Sequence, residues 1–170
     1  MPAFLLILYE LRMRIYNTEG IVLFMKIGFS CDHTATEMKD ALLEHARGLG
    51  HDAKDYGFAP DYPVAGYRVA KAVKEGECEL GVILCGTGCG ISLAANKVQG
   101  IRAVNCSEPY TAKYSRLHND ANILALGARV VGTEFAKMIL EAFLSAEFEG
   151  GRHARRVGII DGIESGIFPE

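Results

Sequence analysis

Residues 85–90 combine a thiol with a glycine-rich loop, and this is the most chemically suggestive segment of the chain. Cys85 follows the apolar run of residues 80–84, and the loop Gly86-Thr87-Gly88-Cys89-Gly90 leads into an alanine-rich segment. Such a run is typical of a buried parallel strand, and glycines let the backbone turn sharply and approach a ligand closely. Backbone N–H groups at such a turn, beside the start of a helix, bind anions. The pattern therefore predicts an active-site loop with a cysteine at its rim.

This loop does not match the common nucleotide or metal motifs. It has neither the Gly-x-Gly-x-x-Gly spacing that binds dinucleotides nor the Gly-Lys-Ser/Thr ending of a P-loop. Cys85 and Cys89 with a distant histidine have no standard zinc spacing. We therefore expect no nucleotide cofactor and no metal. The alternative for Cys85 is a buried packing thiol, which is the usual fate of a free cysteine.

Two arginines near the C-terminus form a second candidate site. Arg152 and Arg156 are four residues apart, so on a helix both guanidinium groups lie on one face and can converge on one phosphate. The alternative is a solvated basic face of the helix. The formal net charge of −3 argues against a nucleic-acid partner.

Alternating strand and helix patterns must position these residues. Strands are predicted over residues 26–31, 52–56, 80–84, 101–106 and 123–126, and helices over 34–48, 62–73, 91–98, 109–118, 133–146 and 152–163. Repeated strand–helix units imply a parallel sheet of about five strands with helices on both faces. Ligands bind beyond the carboxyl ends of the strands in such sheets. This rule selects the segments after residues 31, 84, 105 and 126.

Local patterns predict how two of the helices begin and pack. Thr34 and Glu37 have the spacing of a capping box at the start of the first helix. One face of that helix is predicted from Met38, Ala41, Leu42 and His45, and one face of the next from Val64, Tyr67, Ala70 and Val73. Tyr62, Tyr67 and Tyr110 are interpreted as packing aromatics, and His45, His51 and His153 as surface or packing residues.

The composition predicts one compact domain preceded by an extension. The chain has 170 residues, of which 49% are hydrophobic, enough to bury a single core. Residues 1–24 do not continue the pattern and are interpreted as an extension of uncertain role, with the domain at residues 25–170. The apolar run at residues 4–9 is too short to span a membrane, and no signal-peptide pattern surrounds it. Five cysteines, an odd number, favour reduced thiols in a cytoplasmic protein.

Several motifs together resemble the type B ribose-5-phosphate isomerases. The similarity runs in uninterrupted order from Met25 to about Glu164. The segments that carry it are Ser30-Cys-Asp-His33, Asp61-Tyr-Pro63, Cys85-Gly-Thr-Gly-Cys-Gly-Ile-Ser92, Ala95-Asn-Lys97, Gly100-Ile-Arg-Ala103, Cys106-Ser-Glu-Pro-Tyr110, Ser115-Arg-Leu-His-Asn-Asp120, Gly127-Ala-Arg-Val-Val-Gly132 and Glu149-Gly-Gly-Arg-His153.

The resemblance implies a Rossmann-like three-layer α/β/α sandwich and an activity. It implies metal-free interconversion of ribose 5-phosphate and ribulose 5-phosphate in the pentose phosphate pathway, through an enediolate. It also implies a homodimer, or a dimer of dimers, with the active site between subunits. Such an isomerase needs a base above the carbon, donors for the developing oxyanion and an anchor for the phosphate.

The resemblance also assigns roles to individual residues. Cys85 is the base, and the Thr87 hydroxyl passes a proton between the two substrate oxygens. His118 opens the sugar ring with the help of Asp32; the alternative for His118 is a cation at a helix C-terminus. The implied substrate-binding residues are Asp32, His33, Gly86, Thr87, Gly88, Cys89, Gly90, Asn119, Arg129, Arg152 and Arg156.

Three other functions are weighed against this one. An isomerase of galactose 6-phosphate or allose 6-phosphate is the nearest alternative, although the intact His118-Asn119-Asp120 segment and the paired arginines favour ribose 5-phosphate. A non-catalytic sugar-phosphate sensor would have no use for a base such as Cys85. A nicotinamide oxidoreductase would need the dinucleotide fingerprint, which is missing.

Overall fold

The computed structural model describes residues 14–17 and 20–168, and it begins with a small antiparallel hairpin. Strand β1 (Arg14–Asn17) pairs with strand β2 (Gly20–Leu23), and within the described residues the two form a sheet of their own. The apolar run at residues 4–9 lies outside the described residues.

A parallel sheet of five strands forms the centre of the fold. These strands are β3 (Lys26–Cys31), β4 (Asp52–Phe58), β5 (Leu80–Cys85), β6 (Ala103–Asn105) and β7 (Ile123–Gly127). Their order is β4-β3-β5-β7-β6, and all neighbours are parallel. The chain builds β4 on one side of β3 and β5 on the other, so the topological switch point lies between β3 and β5. Ligands of such sheets bind beyond the carboxyl ends of the strands at this point.

Helices cover both faces of the sheet, so the three-layer α/β/α prediction is confirmed. The helices are α1 (Thr36–Gly48), α2 (Tyr62–Lys74), α3 (Cys89–Ala95), α4 (Pro109–Asn119), α5 (Thr133–Leu144) and α6 (Arg152–Glu164). Buried residues of α1, α4 and α5 share one core cluster, and those of α2 and α3 share the other. Among the described residues, no helix is long and apolar enough to cross a membrane.

Strand β5 shows how the sheet separates the two clusters. Its side chains alternate, with Val82 and Leu84 in one cluster and Ile83 and Cys85 in the other. All four are at most 4% exposed, and full burial of a residue such as Leu contributes about 1.5–3 kcal/mol to folding. Because alternate residues point to opposite faces, the Cys85 thiol shares its face with α2 and α3.

The predicted capping box at Thr34 is wrong. Helix α1 begins at Thr36, with Ala35 at the N-cap and no side-chain capping bond. The hydroxyl of Thr34 instead donates to Oδ1 of Asp32 at 2.6 Å, and the Thr34 N–H donates to the same oxygen at 2.8 Å. The turn formed by Asp32 and Thr34 uses the same hydroxyl that capping would need. The Thr34 hydroxyl bonds to Asp32 because this aspartate lies only two residues upstream.

Half of the predicted packing face of α2 is also wrong: Ala70 is buried and Val73 packs against the core as predicted, but the other two residues do not. Val64 and Tyr67 are 45% and 53% exposed, whereas Ala65, Gly66 and Val69 are buried. The helix packs through its small residues because it approaches α3 closely: a Cβ on Gly66 would lie 2.8 Å from the Ile91 carbonyl oxygen. Large side chains do not fit at such an interface. Tyr110 is likewise exposed and is not a core residue.

The buried face of helix α1 also differs in part from the predicted one, although Met38 and Leu42 are buried as predicted. Ala41 and His45 are only partly buried, while Leu43 and Lys39 are buried. The Lys39 ammonium is 2.6 Å from Asp55 and 3.0 Å from Asp40, and these ion pairs allow a charged residue in that face. The other predicted elements begin and end within two residues of their predicted bounds, except that α3 begins at residue 89 and ends at residue 95, and β6 is shorter. The hairpin of β1 and β2 is not among the predicted elements.

We propose that the domain begins at Met25, where β3 and the core start. A chain that begins at Met25 is expected to keep its fold, with a Tm within about 5 °C of the full chain, because the two strands that precede it form a separate sheet. Thermal unfolding followed by circular dichroism checks this. Insolubility of the shortened chain, or a much larger loss of Tm, would show that residues 1–24 complete the core.

Candidate active site

Cys85 lies at the carboxyl end of β5, at the topological switch point. The side chain is 4% exposed, and the Gly88 N–H donates to its sulfur at 3.1 Å. This hydrogen bond fixes the position of the Cys85 sulfur within the loop. Gly88 has a φ of +79°, a left-handed conformation that suits glycine and that brings its N–H back to the thiol.

The loop is anchored to the end of β7. The N–H groups of Ala128 and Arg129 donate to the carbonyls of Cys85 and Gly86 at 2.9 and 3.0 Å. Gly127 allows this close approach, because a Cβ there would lie 2.7 Å from the Thr87 carbonyl. Two of the loop N–H groups assigned to the substrate have partners within the loop: Gly88 donates to the Cys85 sulfur, and Cys89 donates to the Thr87 hydroxyl at 3.3 Å.

Asp32 and its neighbours lie beside this loop. The Asp32 N–H donates to the Leu84 carbonyl at 3.1 Å, and its side chain is 5% exposed. Thr34, which donates to Asp32, is 3.5 Å from the point where a Cβ on Gly86 would be. His33 is exposed, with Nδ1 3.3 Å from the Pro60 carbonyl. We call Asp32, His33, residues 85–90 and Arg129 the Cys85 cluster.

A second group of predicted site residues lies at the end of α4 and the start of α6. These residues are His118, Asn119, Arg152 and Arg156. Together with Glu149 and His153, they are called the His118 cluster. Glu149 Oε2 lies 3.7 Å from Nε2 of His118 and 3.6 Å from Nε2 of His153.

His153 is a packing residue, one of the two alternatives predicted for it, but its place beside His118 was not predicted. It is 5% exposed, and its ring stacks on that of His118 with centroids 4.0 Å apart and planes 5° apart. Burial, with smaller contributions from His118 and Arg152, lowers the pKa of His153. Arg152 Nε also donates to Nε2 of His153 at 3.2 Å, which requires that nitrogen to be an acceptor. The stacking of His153 on His118 restricts the orientation of the His118 ring.

Three potential metal-ligand atoms lie within 4.8 Å of one another, one each from His118, Glu149 and His153. Imidazole nitrogens and carboxylate oxygens are ligands that a divalent transition metal accepts. The geometry does not suit an ion, however. A metal lies in the plane of each imidazole that binds it, and two parallel stacked rings cannot both point at one centre. Arg152 also occupies Nε2 of His153.

The end of α4 is held by a network around Asp120. This residue has a φ of +47° and is the one non-glycine residue with positive φ among those the structure describes. Its carboxylate accepts from Arg102 at 3.0 Å and Arg116 at 2.8 Å. Arg102 Nε also donates to the carbonyls of Asn119 and Asp120. These bonds fix the backbone that carries His118 and Asn119.

The structure does not bring the two clusters together within one chain. Helix α4 starts after the carboxyl end of β6 and returns to the amino end of β7, so its last residues lie at the opposite edge of the sheet from Cys85. The backbone N–H of Asn122, which follows this helix, donates to the carbonyl of Arg102, which precedes β6. This bond places the end of α4 beside the amino end of β6. The 11 residues of α4 span roughly 16 Å.

The two clusters offer complementary chemistry. The Cys85 cluster places a thiol and backbone N–H groups where a proton can leave carbon and negative charge can develop on oxygen. The His118 cluster presents a histidine, which can donate or accept a proton, beside two exposed arginines suited to a phosphate.

Comparison with known proteins assigns the chain to a family. The Ribose/Galactose Isomerase family model matches residues 27–160. Ribose-5-phosphate isomerase B of Escherichia coli (strain K12) is 52% identical over 143 residues, which cover 82% of this chain and 96% of that protein. D-erythrulose-4-phosphate isomerase of Pectobacterium atrosepticum is 41% identical over 138 residues, covering 78% and 91%.

A solved structure agrees with the sequence relatives. The structure of Clostridium thermocellum ribose-5-phosphate isomerase B superposes with a TM-score of 0.81 at 51% identity, covering 84% of this chain and 99% of that one. The fold, the thiol at the switch point and these matches lead to one conclusion: the chain belongs to the ribose/galactose isomerase family and is a sugar-phosphate isomerase.

Proposed function

We propose that this isomerase interconverts ribose 5-phosphate and ribulose 5-phosphate. The observation that carries the proposal is the Cys85 thiol at the switch point, which accepts the Gly88 N–H and lies within a loop of backbone donors. The 52% identity with an enzyme named ribose-5-phosphate isomerase B supports the choice of substrate. Five free cysteines favour a reducing compartment, so we also propose a cytoplasmic location and a place in the pentose phosphate pathway.

Cys85 is the proposed base of the isomerisation. Its thiolate removes the C2 proton of the open-chain aldose. The C–H electrons form a C1–C2 double bond, and the carbonyl electrons move onto O1, which gives an enediolate. The proton returns from sulfur to C1 while the Thr87 hydroxyl carries a proton from O2 to O1, and the ketose results. The N–H groups of the loop stabilise the negative oxygen.

His118 is the proposed acid of ring opening, and Asp32 is the proposed base. His118 donates a proton to the ring oxygen of the furanose, while Asp32 accepts the proton of the anomeric hydroxyl. His118 is well oriented for this because His153 stacks on its ring and Glu149 lies 3.7 Å from its Nε2. Arg152 and Arg156 hold the phosphate, with His33, Asn119 and Arg129 as further substrate contacts.

The separation of the two clusters supports a homodimeric site. Asp32 and His118 are assigned to one step, yet they lie at opposite edges of the sheet in one chain. We propose that the Cys85 cluster of each subunit faces the His118 cluster of its partner, in a dimer or a dimer of dimers. The exposed apolar residues of α2 and α6 suit such an interface: Val64, Tyr67, Ile159, Ile160 and Ile163 are 37–53% exposed.

Mixing two inactive variants tests the shared site. Cys85→Ala and His118→Asn, each inactive alone, are expected to recover roughly a quarter of the wild-type activity when refolded together in equal amounts. Half of the dimers are then mixed, and in a two-fold symmetric dimer each mixed dimer has one site with both residues intact. Wild-type protein refolded alone is the control. No recovery in a sample shown to contain mixed dimers would place both residues in one subunit's site.

The substrate itself is tested by direct assay. Purified protein is given ribose 5-phosphate, galactose 6-phosphate, allose 6-phosphate or erythrulose 4-phosphate, with and without chelator. We expect kcat/KM to be at least ~10-fold higher for ribose 5-phosphate than for the others, and no effect of chelator. Preference for a six-carbon substrate would overturn the proposal, and binding without turnover would indicate a sugar-phosphate sensor.

A further inference from the structure

Asn105, the last residue of the edge strand β6, contacts the loop of residues 85–90, although β7 lies between β6 and β5 in the sheet. Its Nδ2 lies 3.2 Å from the Thr87 carbonyl oxygen and 3.2 Å from the Cys89 sulfur. Its Oδ1 occupies the space that a side chain on Gly88 would need. One exposed side chain thus contacts three successive residues of the loop.

This contact complements the other anchors of the loop. The backbone bonds from Ala128 and Arg129 hold residues 85 and 86, at the start of the loop. Asn105 holds the following half, from Thr87 to Cys89, where the chain takes the left-handed conformation at Gly88. That half contains the N–H that donates to the Cys85 sulfur.

The chemistry of the contact requires an amide. A carbonyl oxygen only accepts hydrogen bonds, so the group that faces Thr87 must be a donor, and the NH₂ of asparagine supplies one. An aspartate of the same shape would place a carboxylate oxygen against the Thr87 carbonyl, and this contact between two acceptors would be repulsive.

We propose that Asn105 is a positioning residue for the catalytic loop. By holding the Thr87 carbonyl and the Cys89 sulfur on the β6 side, it keeps the Gly88 N–H on the Cys85 thiol and the loop donors aimed at the reacting oxygens. Donors of this kind accelerate a reaction only when they are oriented before charge develops. The inference rests on the proposed function for its effect on turnover, but not for its effect on the loop.

Two substitutions separate the donor from the shape of the side chain. Asn105→Ala removes the hydrogen bonds and is expected to lower kcat by about 10-fold, and Asn105→Asp by about 100-fold. KM is expected to change less than about 3-fold, because the phosphate is held by the other cluster. Ser145→Ala, at an exposed position just after α5 and outside both clusters, is the control and should keep the wild-type kcat.

Amide hydrogen exchange in the substrate-free protein gives a second readout that needs no activity. Exchange at the Gly88 and Cys89 amides is expected to be roughly 10-fold faster in both Asn105 variants, with unchanged exchange in β5. Unchanged exchange, or equal kcat in the Asp and Ala variants, would overturn the inference. Faster exchange in a protein whose wild type does not turn over ribose 5-phosphate would overturn the proposed function and support the role of Asn105 in the loop.

Discussion

Replacing Cys85 with alanine is expected to lower the turnover of ribose 5-phosphate by about 10²- to 10⁴-fold, the usual contribution of a general acid or base. The thiol is the group that would accept the carbon-bound proton, and alanine offers no substitute. Substrate affinity and folding should change little, because the proposed phosphate anchor lies in the other cluster and the substitution removes a single buried sulfur. The measurements are kcat from ribulose 5-phosphate formation, Kd from calorimetry, and Tm.

A second cysteine provides the matched control for this experiment. Cys78 is also buried, at 3% exposure, and lies 3.4 Å from the Tyr56 hydroxyl, away from the loop. Cys78→Ala should therefore keep turnover close to that of the wild type. If the Cys85 variant also keeps it, Cys85 is a packing thiol and another base must be found.

Replacing His118 with asparagine is expected to separate ring opening from proton transfer at carbon. Turnover of ribose 5-phosphate, which is mainly a closed furanose, should fall by roughly 100-fold or more. Ribulose 5-phosphate cannot close a five-membered ring, because its C5 oxygen carries the phosphate and its C4 hydroxyl is too near the carbonyl. Exchange of its C1 hydrogen with solvent deuterium therefore needs Cys85 but no ring chemistry.

The deuterium exchange is followed by NMR in three variants. It should continue within about 3-fold of the wild-type rate in His118→Asn and stop in Cys85→Ala. His45→Asn is the control, since His45 pairs with Glu141 at 2.6 Å between α1 and α5 and has no assigned role. Equal loss of exchange in the His118 and Cys85 variants would mean that His118 acts in proton transfer at carbon, or holds the site together.

The features that depend on residues close together in the sequence could be predicted from the sequence. The apolar run before Cys85 predicted a buried strand, and β5 is buried along its whole length. The alternation of strands and helices predicted a parallel sheet, and the rule for ligands of such sheets selected the ends of β3 and β5. Asp32 and the Cys85 loop do lie next to each other there, through the bond from the Asp32 N–H to the Leu84 carbonyl.

Competition between local partners caused the first error. Thr34 has the right spacing to cap α1, but the Asp32 carboxylate two residues upstream offers its hydroxyl a closer acceptor. The choice depends on where the backbone places that carboxylate, which is decided by the pairing of β3 with β5.

Packing distances decided the faces of the helices. Helical spacing places Val64 and Tyr67 in one stripe of α2 with Ala70 and Val73, and on that basis they are predicted to be buried. The interface with α3 is too close for a large side chain at Gly66, so Ala65 and Gly66 are buried there while Val64 and Tyr67 are exposed. Hydrophobic periodicity indicates that a helix has an inner face, but it does not give the distance to the neighbouring helix.

Tertiary structure alone decided the composition of each cluster. The sequence determined a strand that ends in Cys85, a glycine loop after it and a pair of arginines one helical turn apart, because each of these depends on residues close in the chain. Only the fold stacked His153 on His118, brought Asn105 to Thr87, and sent the end of α4 to the edge of the sheet opposite Cys85. These contacts join residues 18 to 35 positions apart, and their geometry is set by strand order and helix direction, which no local pattern encodes.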